Sequence, residues 1–492
     1  MVYAFSPVGA LGVLVRVEVD IRNGLPGTDI VGLPSSEVRE ARDRVRVALR
    51  NAGYHYPTSR ILVNLSPAEE PKLGSGFDLP IALAILERSG QISLPAPCLS
   101  SGELSVNGEI IPVRGTLSAV LAAEDNRIPS VLLGERALRR IPRLSDCSTS
   151  LYAVPGLAEL RGVPWPSVTV PRHEEPSASS AGPTSFDDID GQPAVKWAAT
   201  VAAAGFHNLL LMGPPGSAKT MAAQRIRSLH PPLDPADRRE VARIYSMRGL
   251  EELLSSSHPP LRMPHHSASL EGMLGWGRRA LPGEVSLAHK GIMVLDEATE
   301  FRPAVLQALR EPVERGSVTL SRAGRGNRFP ARFQLILTSN LCPCGKLGKP
   351  HERCMCSGAE IERYWRRLGA ALLDRVDIRV RTYYQPGPVS SPSHQELCDR
   401  VAHAVRLQQE RAGGGPWTRN GLVPPEMIRE LIPLSTALTA TLRDAMQVHG
   451  LSDRAAAAVR CVARTLADLD DREQVSVEDI QEAVALRSPA PV

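Results

Sequence analysis

Apolar residues recur along this chain in short runs whose spacing switches between two and three to four residues, so strands and helices alternate. Val13, Val15, Val17 and Val19 alternate with other residues, which predicts a strand over Val13–Ile21. The pattern then predicts a helix over Ser36–Asn51, a strand over Arg60–Leu65 and an apolar helix over Leu79–Arg88. A hairpin over Leu104–Ile111 turns at Asn107-Gly108, and a helix over Arg114–Glu124 and a short strand over Ser130–Leu133 follow. Farther along, Leu209–Met212, the run ending at Leu295 and Phe333–Asn340 read as buried strands. The last part is mainly helical, including Ser435–His449 and Asp453–Leu469. Pro171–Ser185 has almost no apolar residues and reads as a linker, and Gln385–Ser393 is a second breaker-rich stretch. The expected division is residues 1–170, a linker 171–185, an α/β core 186–384, a connecting segment 385–416 and a helical part 417–492. No repeat at solenoid spacing is present.

The three buried strands end in chemistry. Leu209–Met212 feeds Gly213-Pro214-Pro215-Gly216-Ser217-Ala218-Lys219-Thr220, a glycine-bearing loop closing on Lys-Thr. Backbone N–H groups of such a loop cradle phosphates, Lys219 reaches the β- and γ-phosphates, and the Thr220 hydroxyl holds Mg²⁺. The second strand delivers Asp296 and Glu297, a carboxylate for Mg²⁺ and one to polarise an attacking water. The third ends at Asn340, whose amide can sit between that water and the γ-phosphate. Ala218 stands where such loops usually carry glycine; its Cβ narrows the backbone options, and nucleotide binding is expected to survive.

Composition narrows the setting. At 492 residues and 43% hydrophobic content the chain has room for roughly three domains at ~150 residues each. A net charge of +4 neither demands nor excludes nucleic acid, so any basic surface is local. No cationic leader and no spanning helix are read, and eight cysteines, four of them clustered, are no disulfide scaffold. A reducing cytoplasm and no membrane partner are expected.

Met263–Ser269, then Pro282–Gly291, then the Asp296-Glu297 strand resemble the magnesium-chelatase-like AAA+ ATPases, and the full layout looks like their ComM/YifB branch. Ser101–Gly115 is similar to the Lon protease domain. The implied fold is α/β: a Lon-protease-like N-terminal domain, a P-loop AAA+ core with a parallel sheet, and a C-terminal helical lid. The resemblance implies a homo-hexameric ring with ATP sites between subunits and, for this branch, a DNA helicase promoting branch migration in recombination or natural transformation. Single-stranded and branched DNA are the implied partners. Asn340 matches the first sensor. Leu372–Arg375 resembles the segment carrying a trans-acting arginine finger, which implies Arg375, and Leu451–Arg454 resembles the second sensor, which implies Arg454. A planar guanidinium suits charge developing on a γ-phosphate.

Gly316–Arg332 reads as two strands with a glycine-rich tip, with Arg322, Arg325 and Arg328 on or beside it. It resembles the pore hairpin of ring helicases, and such arginines can track phosphates without reading sequence; a solvated turn is the alternative. Cys342, Cys344, Cys354 and Cys356 can supply four thiolates to a structural Zn²⁺, with an iron–sulfur cluster or plain thiols as alternatives. His265 and His266 are expected to point apart, as loop or DNA-facing residues.

Lon-type hydrolysis needs a serine activated by a lysine from a later helix. Lys72 is the only lysine before the linker and precedes Ser75, so a fold without peptidase activity is expected. The leading functional expectation is the DNA translocase. Its rivals are a magnesium-chelatase motor subunit, a DNA-binding scaffold with an inactive loop, and an ATP-dependent protease. The N-terminal domain is expected to favour DNA, because the resemblance to chelatase motor subunits covers only core and lid.

Overall fold

The computed structural model describes residues 1–94, 97–141, 148–161, 185–254, 257–276, 281–322, 325–383, 391–415 and 417–488. At residues 252, 276, 321, 322, 325 and 326 it describes the main chain only. Pro171–Ser185, apart from Ser185, and residues 385–390 of the second breaker stretch lie outside these residues.

Alternation decides the N-terminal architecture. Seven strands form one sheet in the order Gly27–Val31, Arg60–Ser66, Val13–Arg22, Val2–Ser6, Cys98–Ser101, Ser130–Gly134, Ser150–Val154. Within Ser130–Gly134, Leu132 faces helices Ser36–Asn51 and Asp78–Arg88. Val131 and Leu133 face the opposite layer with helix Thr116–Asp125. That layer also takes in Ala242 and Met247, from helix Pro235–Arg248 of the central part. Ser118 Oγ donates to the Arg243 carbonyl at 3.1 Å across this contact. The expected hairpin is present, with Glu103–Leu104 paired to Ile110–Ile111.

The central sheet has five strands, in the order Leu261–Arg262, Ile292–Leu295, Gln334–Ser339, Leu209–Met212, Ile378–Arg381. Every pairing is parallel, so all the C-terminal ends lie along one edge. The three inner strands, Ile292–Leu295, Gln334–Ser339 and Leu209–Met212, are wholly buried on both faces. Helix Pro193–Gly205 covers one face together with His394–Ala412 and Asp453–Leu469. The expected helices at the C-terminus appear as Thr436–His449 and Asp453–Leu469.

The connecting segment 385–416 contains more order than its breakers suggest. Ser393 and Glu396 close a capping box and start the 19-residue helix His394–Ala412. Leu397, Val401, Ala404 and Val405 bury its inner face against the central part. No helix among the described residues is long and apolar enough to cross a membrane.

Candidate nucleotide site

Register carries the distant residues together. Met212 pairs with Ser339 and Leu295 with Leu337, so Gly213 emerges beside Asn340, and Asp296 beside Thr338. Lys219 begins the helix after the loop and is 8% exposed. Its Nζ donates to the carbonyls of Gly213 and Pro214 at 2.7 and 2.8 Å and to Asn340 Oδ1 at 3.3 Å. Burial lowers its pKa to about 8, against the opposing charges of Asp296 and Glu297. Thr220 Oγ1 donates to Asp296 Oδ1 at 2.9 Å. A hydroxyl and a carboxylate thus meet at one point, the hard oxygen donors that Mg²⁺ takes alongside phosphates.

The loop's shape explains its residues. A Cβ on Gly213 would stand 1.9 Å from Thr382 Oγ1, so that position has room only for glycine. Gly216 has φ +83°. Ala218 has φ +61°, the left-handed region, which costs an alanine roughly 1–2 kcal/mol. The loop therefore keeps the fold that a glycine would adopt freely.

Thr338 is a site residue that the sequence reading missed. Its Oγ1 donates to Asp296 Oδ1 at 2.6 Å and accepts from the Glu297 N–H at 3.0 Å. It thereby orients the Asp296 carboxylate and pins the Glu297 main chain, which is held at φ +50°. The polar ending Thr-Ser-Asn of an otherwise apolar strand is the signal that could have found it.

Arg375 and Arg454 are brought together, away from the loop. The Arg375 guanidinium pairs with Glu314 Oε2, and Arg454 Nη1 reaches Glu314 Oε1 at 3.1 Å. Hydrogen bonding to Arg375 first, and the charge of Arg454, hold the Glu314 carboxyl below its usual range. The Arg375 carbonyl accepts from Asn208 Nδ2 at 2.9 Å, which fixes it at the N-terminal end of the loop strand. That is the opposite sheet edge from Gly213, roughly 13 Å of strand away. Glu314 was also missed, because nothing local marks it.

Ser317–Arg322 and Arg325–Pro330 pair from Ser317↔Pro330 to Arg322↔Arg325, as the hairpin expectation requires. Its base is anchored by buried Val318 and Phe329, and strands of this length span about 20 Å. Arg328 is exposed and donates through Nε to Ser317 Oγ at 3.0 Å, while residues 323–324 lie outside the described residues. A second short hairpin pairs Gly275–Trp276 with Leu281–Pro282 and lies against Leu320 of the first. The residues joining its strands include Arg278 and Arg279 in sequence.

His265 and His266 do not point apart. Their ring centroids are 4.0 Å from each other, because the Ala268 N–H closes a turn onto the His265 carbonyl. Among the described residues no third metal-binding side chain joins them. The four clustered cysteines do converge, with all four sulfurs within 4.8 Å of one another. In the N-terminal part, Lys72 is buried and its Nζ donates to the carbonyls of Pro67 and Glu70.

Fold and site together define a magnesium-chelatase-like protein with an AAA+-like core. Residues 185–388 match the family described as Magnesium chelatase, subunit ChlI, and 391–487 match its C-terminal family. Residues 17–136 match the family described as Subunit ChlI of Mg-chelatase. The N-terminal part therefore does not lie outside the chelatase resemblance, and it does not by itself separate DNA from chelatase function. The chain is 37% identical to Competence protein ComM of Haemophilus influenzae over 506 residues, 99% of this chain and 97% of that one. It is 36% identical to the uncharacterized protein YifB of Escherichia coli over 505 residues, 99% and 97% of the two chains. An uncharacterized protein of Mycobacterium tuberculosis is 38% identical over 502 residues, 97% and 96% of the two chains. This chain belongs to the ComM/YifB family of magnesium-chelatase-like proteins.

Proposed function

We propose that this protein is an ATP-driven, ring-shaped DNA translocase that promotes branch migration in recombination or natural transformation. The observation that carries the ATPase half is the convergence of Lys219, Thr220, Asp296 and Asn340 on one sheet edge. The DNA half is supported by full-length similarity to a protein named for competence and by the arginine-bearing hairpin. In this reading Lys219 and the loop N–H groups hold the phosphates, and Thr220 and Asp296 hold Mg²⁺, which neutralises charge on the phosphate oxygens when bound. Glu297 takes the proton of the attacking water and Asn340 orients that water. Arg375, at the far edge of the sheet, serves a neighbouring subunit of a homo-hexamer, and Arg454 beside it acts as the second sensor of the helical part. Arg322, Arg325 and Arg328 track DNA phosphates, Zn²⁺ sits at the four cysteines, and the protein works in the cytoplasm without a membrane.

The second reading, a motor subunit of a magnesium-inserting complex, is favoured by the family descriptions over all three stretches. ATP turnover measured with and without single-stranded and branched DNA separates the two, with Lys219→Ala as control. Strong stimulation supports the translocase, and robust turnover that DNA leaves unchanged supports the chelatase motor.

Two substitutions test individual roles. Glu297→Gln is expected to bind ATP within a few-fold of the parent and to lose about 10²-fold or more in turnover. Single-turnover measurement with labelled ATP reads this, and hydrolysis at the parental rate removes Glu297 from catalysis. Arg322→Ala is expected to cut DNA-stimulated turnover several-fold while the rate without DNA stays the same. Unchanged stimulation takes the hairpin off the DNA path.

A further inference from the structure

The cysteine loop follows Asn340, roots Leu341 and Cys342 in the central core, and lies back on the phosphate loop. Cys342 and Cys344 sulfurs are 3.4 Å apart, and Cys354 is 3.6 Å from each of them. A tetrahedral Zn²⁺ with bonds near 2.3 Å sets sulfurs about 3.8 Å apart, so four thiolates reach it with small adjustments. The Leu347 N–H points at Cys342 Sγ from 3.4 Å, a contact that favours a charged sulfur.

Two glycines in the left-handed region stand where this loop meets the phosphate loop. Gly345 has φ +71°, and a Cβ there would stand 3.1 Å from Pro215 Cγ. Gly348 has φ +85°, and a Cβ there would stand 3.7 Å from Pro214 Cδ. Pro214 is the residue whose carbonyl accepts from Lys219 Nζ at 2.8 Å and from Ser217 Oγ at 2.7 Å. The cysteine loop is thus the outer support of the phosphate loop. Its own charge pairs, Lys346 and Lys349 with Glu352, are partly exposed and contribute little order. The sulfur cluster ties its two ends together, beside the packing of Leu341, Cys342, Leu347, Cys354 and Cys356 on the central core.

We propose that the four cysteines hold one Zn²⁺ as a tetrathiolate and that this centre braces Pro214 and Pro215, so that zinc and ATP bind with positive coupling. The proposal rests on the nucleotide-site reading above. Coupling is reciprocal: whatever factor zinc adds to ATP affinity, ATP adds to zinc affinity.

The test uses the full chain, purified under reducing conditions. Metal content is measured by elemental analysis and optical spectrum. Zinc is then stripped with a chelator and restored as zinc chloride, with circular dichroism following the fold. Binding of a fluorescent ATP analogue is expected to weaken about tenfold on stripping, within the ~5–150-fold range of coupled sites, and to recover with zinc. Chelator competition is expected to show zinc held more tightly by the same factor when ATP is present, a readout that needs no stripped protein. The double substitution Pro214→Ala, Pro215→Ala is expected to keep zinc while its ATP affinity becomes independent of the metal. Iron with sulfide, or no metal, overturns the assignment of zinc. Zinc present with identical ATP affinity in stripped and loaded protein overturns the brace and leaves the nucleotide site intact. Loss of ATP binding in both forms overturns the nucleotide-site reading and the brace with it.

Discussion

Lys219→Ala is expected to abolish ATP binding. Lys219 reaches the Gly213 and Pro214 carbonyls and Asn340 from inside the loop. Removing it takes away the charge that meets the phosphates and the donor that satisfies two carbonyls of the loop. Titration with a fluorescent ATP analogue reads the loss, and retained binding would move the nucleotide elsewhere. The same residue predicts a pH dependence in the parent protein. Burial lowers Lys219 to about 8, and a bound triphosphate favours its charged form. Above that pH, binding must take up a proton, so ATP affinity is expected to fall by up to about tenfold per pH unit. Below it the lysine is already charged, and this dependence is absent. Affinity measured from pH 7 to 10 checks the sign.

The parts of this site that are legible in the sequence are those built from contiguous residues. An apolar strand with its polar ending carries its own signal, which is why Lys219, Thr220, Asp296 and Asn340 could be named before their strands were paired. Their convergence depends on a parallel register between segments more than a hundred residues apart, Met212 with Ser339. Thr338 and Glu314 act only through such pairings, and each alone reads as an ordinary polar residue. Helix His394–Ala412 was hidden because prolines precede it, although Ser393 and Glu396 spell its start. The neighbouring rings of His265 and His266 sit at a local turn that residue types do not dictate. The contact of Gly345 and Gly348 with the loop prolines is visible only in three dimensions, since it joins two loops that each look independent in the chain.

Arg375→Ala is expected to lower ATP turnover about 10³-fold or more while ATP affinity stays within a few-fold, the signature of an arginine acting only on the transition state. The geometry makes the source of that arginine testable. Arg375 is fixed by Asn208 at the sheet edge opposite Gly213, and its guanidinium is turned to Glu314. It cannot serve its own phosphate loop without leaving that edge. It can serve another subunit's, because Glu314 carries Arg375 and Arg454 together on an exposed carboxylate. Mixing Arg375→Ala with Lys219→Ala protein therefore discriminates. Each variant alone lacks one half of every site, but a mixed ring contains interfaces where an intact Lys219 faces an intact Arg375. Turnover is expected to reappear on mixing. If the mixture stays as inactive as its parts while both variants still assemble, the arginine acts within its own chain, and the ring reading loses its main physical support. A large loss of ATP affinity in Arg375→Ala alone would lead to the same conclusion by a different route, since a residue that acts across an interface contributes little to holding the ground-state nucleotide.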